Sequence, residues 1–443
     1  MKNITIFGAG LSATSMINYL FDHAEKYDWH IRLGDFDENM AKAKIKDNTR
    51  GTGFKFDVNN QKQVVDEIEK TDIVVSMLPA RFHHLIAEKC VELGKNMLTA
   101  SYISPEMKAL EARAKEAGIG LYNELGVDPG IDHMSAMKIM DAIKEEGGKL
   151  NAFFSSTGGL VAPDFDNNPW HYKFTWNPRN VVLAGQGVSK FIRNGLYKYV
   201  PYTQLFSRIM NTSVEGYGDF EIYPNRDSLS YRETYNLQDI PTIYRGTMRR
   251  PGYAKAWNVF VQLGVTDDSY IIEDSANMTY RQFINTFLPY EQSISVEEKL
   301  IKLLPHLADE EVMQKLNYLE IFSSKPIELE RASPAKILQK ILEDKWQLEE
   351  NDLDMIVMQH RFEYTDNQGV ERKKMSSLVV EGDSKEITAM AKTVGLPLGI
   401  AVKLVATGQV NLPGVSAPVI PELYKPILEE LKSYDIIFKE EDL

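Results

Sequence analysis

Residues 3–13, NITIFGAGLSA, decide the first part of the fold. The apolar run before the glycines reads as a strand, and SATSMINYLFDHA after them carries helical periodicity. Gly8, Gly10 and Ala13 form a G-x-G-x-x-A arrangement at the strand-to-helix turn. Gly8 permits the tight turn, Gly10 lets main chain approach a pyrophosphate, and Ala13 is small enough for close helix–strand packing. The helix N-terminus adds N–H donors and partial positive charge. Asp35 ends the next strand, 22 residues past Ala13. An acid at this strand end accepts hydrogen bonds from ribose hydroxyls and repels a 2′-phosphate, and the next residue is Phe36, not an arginine. The turn therefore predicts a dinucleotide site that takes NAD in preference to NADP. Two alternatives stay open: a glycine turn without ligand, and Asp37 on the ribose with Asp35 as a helix cap.

Working outward, the first 125 or so residues alternate strand and helix. Strands are expected at WHIRLGDFD (29–37), GFKFDV (53–58), DIVVSMLP (72–79), KNMLTAS (95–101) and GIGLYNELG (118–126). That alternation predicts a parallel, doubly wound sheet. Beyond Gly130 the texture changes. LNAFFSSTGG (150–159), NVVLAGQG (180–187), TIYRGTMR (242–249) and YIIEDS (270–275) read as strands of a mixed α/β second domain. Residues 291–354 read as a small helical insert, and FEYTDNQGVERKKMSSLVVEG (362–382) as a hairpin turning on Asn367 to Gly369. TVGLPLG, near residue 395, sits in a long helix with an expected kink.

The chain has 443 residues, 43% hydrophobic and 26% charged, the balance of a soluble globular protein with two or three domains. No run approaches the roughly 18 apolar residues that would cross a bilayer, and the first residues lack signal-peptide architecture. Lone Cys90 excludes an internal disulfide and fits a reducing compartment. A net charge of −13 argues against nucleic acid or anionic lipid as partner. No His, Cys or acid spacing suits zinc, so no metal is expected.

Two stretches carry chemistry. NELGVDPGIDHM, residues 123–134, crowds Glu124, Asp128, Asp132 and His133 into one turn at the sheet edge where ligands bind. Asp128 precedes a proline and is the candidate to hold an ammonium or take an amine proton. Tyr102 and His133 are alternative proton carriers; Asp132 is open between cap and ligand. His83 and His84 read as surface or packing residues. The second stretch is an arginine island: residues 226, 232, 245, 249 and 250, with three acids and no lysine between 226 and 250. Such an island suits two-point capture of carboxylates, against a bland reading of structural Arg–Asp pairs.

NELGVDPGIDHM, STGGL.AP...NNPW.YKFTW, YPNRDS..Y.E.Y, RGTMRRPG and TVGLPLGIAVKL resemble saccharopine dehydrogenases of the L-glutamate-forming type. The likeness spans most of the chain and thins near residues 290–350. It implies a Rossmann domain, residues 1–128, completed by about 390–443; a mixed α/β substrate domain at 129–290 and 355–389; and the insert at 291–354. It implies oxidation of saccharopine with NAD(P)⁺ and water to glutamate and 2-aminoadipate 6-semialdehyde. A cytoplasmic location and a homodimer are separate expectations. By the resemblance, substrate contacts fall on Ser101, Tyr102, Asp128, Arg226, Thr247, Met248 and Arg249. Asp128 and Tyr102 are the catalytic candidates, and Lys173 is a weaker carboxylate partner. Cofactor contacts fall on Gly8, Ala9, Gly10, Leu11, Asp57, Val58, Leu78, Pro79, the segment from Ala100 to Tyr102, Val127, Asp128, Pro129 and Asn177, beside Asp35 and Phe36. The family's fungal members carry a Cys-Arg-Thr run suited to a 2′-phosphate where this chain has Asp35, Phe36 and Asp37. Competing readings are a related carboxylated-imine reductase, such as carboxynorspermidine dehydrogenase, and a non-catalytic dinucleotide sensor. A polyamine substrate would want acids in place of the arginines, and a sensor would need no carboxylate site.

Overall fold

A computed structural model describes all 443 residues, in two compact units: Met1–Gly148 with Leu378–Lys439, and Lys149–Ser377 with Glu440–Leu443. In the first unit, strands β1 (Lys2–Phe7), β2 (Trp29–Asp35), β3 (Gly51–Lys55), β4 (Ile73–Ser76), β5 (Asn96–Leu98) and β6 (Gly120–Tyr122) pair in parallel. A late strand, Gly414–Ser416, adds to β6, giving the order late strand, β6, β5, β4, β1, β2, β3. The order reverses between β1 and β4, which opens a crevice at the carboxyl ends of those strands. Ile4, Thr5, Ile6 and Phe7 are all buried. Helices on both faces leave no wet side, so such strands read as continuous apolar runs. Helix starts are set locally. Asp37 caps Glu38–Ile45 by accepting from Asn39 N, Asn60 caps Gln61–Glu69, and Ser104 followed by Pro105 caps Pro105–Lys108.

The C-terminal residues enter this unit through helix Ala389–Ala406, which lies against helix Thr14–Tyr27 so closely that a Cβ on Gly395 would stand 2.7 Å from Met16 N. The helix is 18 residues long with mean hydropathy 1.5, long and apolar enough to cross a bilayer, contrary to the expectation from the sequence. It is 78% buried inside the protein, which accounts for its composition. It runs unbroken through Pro397. Lys403 pairs with Glu430 of helix Pro421–Leu431, and Tyr424 of that helix donates to Asp141 at 2.6 Å. That last bond ties helix Ile131–Glu145 to the first unit, so the boundary falls after Gly148 and not at residue 128.

The second unit is built on β7 (Lys149–Val161), β8 (Val188–Arg193), β9 (Leu196–Pro201), β10 (Met210–Val214), β11 (Gly218–Pro224), β12 (Thr242–Arg249), β13 (Asp354–Thr365) and β14 (Glu371–Glu381). The sheet order is β10, β11, β12, β7, β13, β14 and a closing strand Lys439–Asp442, with β8 and β9 on a side branch beside β12. The last residues therefore extend this sheet and do not complete the Rossmann unit. β12 and β7 run parallel; β10–β11, β11–β12 and β7–β13 run antiparallel. Gly369, at φ +82°, turns the β13–β14 hairpin as expected. Two expected strands fail. Residues 180–187 begin in helix Pro178–Val182, because Asn177 caps it and Pro178 fills its first turn. Residues 270–275 contribute one isolated bridge, Ile272 with Ala332. Helices Val296–Leu303, Glu310–Tyr318 and Pro334–Trp346 form where an insert was expected, but Trp346 is fully buried among Trp170, Tyr172, Phe174, Tyr253 and Trp257. The insert thus shares the core of the second unit.

Candidate active site

The glycine turn fits a dinucleotide. Gly8 has φ +108°, and a Cβ there would lie 2.6 Å from the Met77 carbonyl oxygen. Gly10 is exposed with nothing within 4 Å of a built Cβ, leaving open the space a pyrophosphate needs. A short turn of 3-10 helix, Leu11–Ala13, leads into Thr14–Tyr27, with Ala13 fully buried. Asp35 serves the turn itself. Its two oxygens accept from Ala9 N at 2.7 Å and Asp37 N at 2.9 Å. The carboxylate is therefore explained by main chain, which weakens it as a sign of cofactor type. Phe36 is 70% exposed, with the Lys55 ammonium 5.7 Å from its ring centroid. Asp57 accepts from Asn59 N just past β3, and Val58 is buried.

At the carboxyl ends of β4, β5 and β6 the crowded acids separate by role. Glu124, at φ +59°, accepts from Ile103 N at 3.0 Å through Oε1, and its Oε2 lies 2.7 Å from His133 Nε2. His133 is fully buried. Shut off from solvent by this clasp, it does not fit the proton-carrier role considered for it. Asp132 accepts from Gly130 N at 2.6 Å, the structural reading. Gly130 can only be glycine, since a Cβ would meet the Gly126 carbonyl oxygen at 2.0 Å. Asp128 remains half-buried, and the half-exposed Tyr102 hydroxyl donates to it at 3.3 Å. The peptide bond between Asp128 and Pro129 is cis. Leu78, Pro79, Ala100 and Val127 lie in the same strand-end segments. His83 is no surface residue: it is buried, with Nδ1 2.8 Å from Ser76 Oγ and Nε2 2.7 Å from Ser101 Oγ. Burial, and secondarily His84, pull its pKa down to about 4, so it is neutral near pH 7.

In the second unit the arginine island breaks up. Arg232 donates to the Tyr197 hydroxyl and the Gln238 carbonyl. Arg250 donates to the Tyr217 carbonyl and lies over Phe220. Arg245 is buried with its guanidinium 3.9 Å from the Tyr231 ring centroid. Arg226 is exposed, at φ +43° on the turn after β11. Arg245 is as buried as Arg249, and Arg232 also has a buried Nε without a partner; Arg249 is the one of the five that combines such burial with an unpartnered guanidinium nitrogen. It is 4% exposed and faces the rings of Tyr172, Tyr253 and Tyr223, 5.0, 5.3 and 5.9 Å from their centroids. Its Nη1 donates to the Met248 carbonyl at 2.8 Å, and its Nε is buried without a partner. Burial opposes its charge, but the tyrosines outweigh that and hold its pKa above the ordinary value. A buried guanidinium donor left unmade is costly, and a carboxylate is the ligand that best meets it. Alternation on β12 puts Thr247 on the Arg249 face and the fully buried Met248 side chain on the other.

Two other expected contacts have structural work. Lys173 is buried in a 2.6 Å ion pair with Asp352, so it does not serve a ligand carboxylate. Asn177 uses its side-chain oxygen as the cap on Arg179 N. The sequence reading missed His83, Tyr172, Tyr223 and Tyr253. Tyr172 lay in a quoted motif, YKFTW, but nothing local to it pointed at an arginine far along the chain.

A switch-point strand order, open space at Gly10 and strand-end polar groups define a Rossmann-type dinucleotide-dependent oxidoreductase. Two family models cover nearly all of the chain: the saccharopine dehydrogenase NADP binding domain over residues 4–121 and the saccharopine dehydrogenase C-terminal domain over residues 126–437. The chain belongs to the saccharopine dehydrogenase family. It is 32% identical over its whole length to the saccharopine dehydrogenase (NADP(+), L-glutamate-forming) of Schizosaccharomyces pombe, 99% of which is covered. It is 33% identical over 99% of its length to the mitochondrial alpha-aminoadipic semialdehyde synthase of Mus musculus, matching 47% of that longer protein. The solved apo saccharopine dehydrogenase (L-Glu forming) of Saccharomyces cerevisiae superposes with a TM-score of 0.91 at 31% identity, each chain covered completely. The fungal relatives are NADP(+) enzymes by name and the first family model is an NADP binding domain, which overturns the expected preference for NAD.

Proposed function

We propose that this protein oxidises saccharopine with NADP⁺ and water, releasing glutamate and 2-aminoadipate 6-semialdehyde. One observation carries the substrate class: Arg249, an enclosed guanidinium with an unpartnered Nε. Saccharopine has three carboxylates and a secondary amine, and a polyamine would leave that donor unanswered. Family membership and the named relatives support the particular reaction. When bound, the nicotinamide supplies the hydride acceptor. The glycine turn at Gly8 and Gly10 receives the pyrophosphate, and Lys55, beside Phe36, is a cation suited to a 2′-phosphate.

Arg249 fixes a carboxylate, and the tyrosines around it keep water away from the charge. Asp128 receives the ammonium, and Tyr102, bonded to it, carries the proton released as the C–N bond becomes an imine. Water adds to that imine, and the carbinolamine breaks into amine and aldehyde. Positioning supplies much of the rate in this scheme.

The test is the absorbance of reduced nicotinamide with purified protein and saccharopine, comparing NADP⁺ with NAD⁺. Turnover faster with NADP⁺ is expected. Silence with both cofactors refutes the reaction, and faster turnover with NAD⁺ refutes the cofactor.

A further inference from the structure

His83 bridges two serines at adjacent strand ends. Ser76 closes β4 and is fully buried; Ser101 follows β5 and is half-buried, next to the Tyr102 that donates to Asp128. A neutral imidazole has one N–H donor and one acceptor, so it cannot treat both serines alike. Which serine it donates to follows from satisfaction of buried groups. His83 is the hydrogen-bond partner of Ser76 Oγ. If Nδ1 carried the proton, Ser76 would accept it and its own O–H would have no acceptor within a closed environment. If Nδ1 is bare, the Ser76 O–H donates to it and both groups are satisfied. The proton then sits on Nε2 and is donated to Ser101 Oγ. With that oxygen accepting, the Ser101 O–H is left to point away from the histidine.

We infer that His83 is a positioning residue: as its Nε2–H tautomer it fixes the Ser101 hydroxyl as a hydrogen-bond donor to an anionic oxygen of the substrate. The inference rests on the proposed reading of a carboxylated amine substrate, and it adds a direction to the contact. The chain Ser76 to His83 to Ser101 to ligand runs one way, each hydroxyl donating once and accepting at most once. A doubly protonated ring would break it, because Nδ1 would then donate to Ser76; burial of the ring opposes that state.

Two measurements test it. In the wild-type protein, long-range ¹H–¹⁵N spectra at neutral pH, with His83 assigned by its disappearance in His83→Gln, are expected to show a neutral ring protonated at Nε2. Protonation at Nδ1, or at both nitrogens, overturns the inference. In kinetics, His83→Ala and Ser101→Ala are each expected to raise the KM for saccharopine about three- to tenfold, the size of one neutral hydrogen bond. For His83→Ala, which leaves the Ser101 side chain in place, the kcat should stay within about twofold. The double variant is expected to be no worse than Ser101→Ala, since His83 acts through Ser101. Additive penalties, or an unchanged saccharopine KM in His83→Ala, overturn it. If the wild type does not turn over saccharopine at all, the parent reading fails, and the spectra still decide the tautomer.

Discussion

Arg249 is the residue on which the substrate assignment turns. Replacing it with lysine keeps the charge but removes the planar fork, so binding should suffer more than folding. Arg249→Lys is expected to raise the KM for saccharopine at least about tenfold, one charged hydrogen bond lost. The melting temperature should move little; an unchanged KM would take Arg249 out of the site. His83 carries a second expectation, on stability. Its folded pKa lies near 4 against an ordinary 6.5. Between those values the unfolded chain binds more protons, so stability rises with pH. The contribution is complete above 6.5 and is lost as pH falls toward 4, on the order of 3 kcal/mol. His83→Gln cannot titrate and should flatten that part of the acid limb in denaturant titrations at several pH values. An unchanged acid limb would mean that the ring charges freely in the fold.

The strand-to-helix turn is the element that separates folding from binding. Gly8 needs its positive φ and faces the Met77 carbonyl, whereas Gly10 opens on empty space. Gly8→Ala should therefore destabilise the protein by roughly 2 kcal/mol or more through strain and overlap. Gly10→Ala should leave thermal unfolding unchanged and raise the cofactor KM severalfold. Equal effects of the two changes on both readouts would contradict this division of labour. Much of the element pattern was legible. Parallel strands covered on both faces are uniformly apolar, as in residues 72–79, and the β13–β14 turn announces itself by Asn367 and Gly369. Residues 180–187 misled because a short apolar run has no period of its own. The Asn177–Pro178 pair before it was the available helix-start signal.

At the scale of the molecule, the Rossmann unit depends on residues almost 400 positions from its first strand. Helix Ala389–Ala406 fits against Thr14–Tyr27 only because Gly395 has no side chain at the closest approach. Gly395→Leu should cost about 1–3 kcal/mol by overpacking, read as a lower denaturant midpoint; an unaltered midpoint would deny the close contact. The sequence by itself determined the dinucleotide turn, the doubly wound alternation and the family, because glycine spacing and apolar runs are local properties of the chain. It also placed Asp128 and Tyr102 at strand ends. Only the tertiary structure decided which acids are structural, pairing Glu124 with His133 and turning Asp132 onto Gly130. Only it singled out Arg249 among five arginines that look alike in sequence, and drew His83 between two serines. Those outcomes depend on which groups, distant along the chain, are buried together, and burial decides whether a charge or a hydroxyl is satisfied by the protein or left for a ligand.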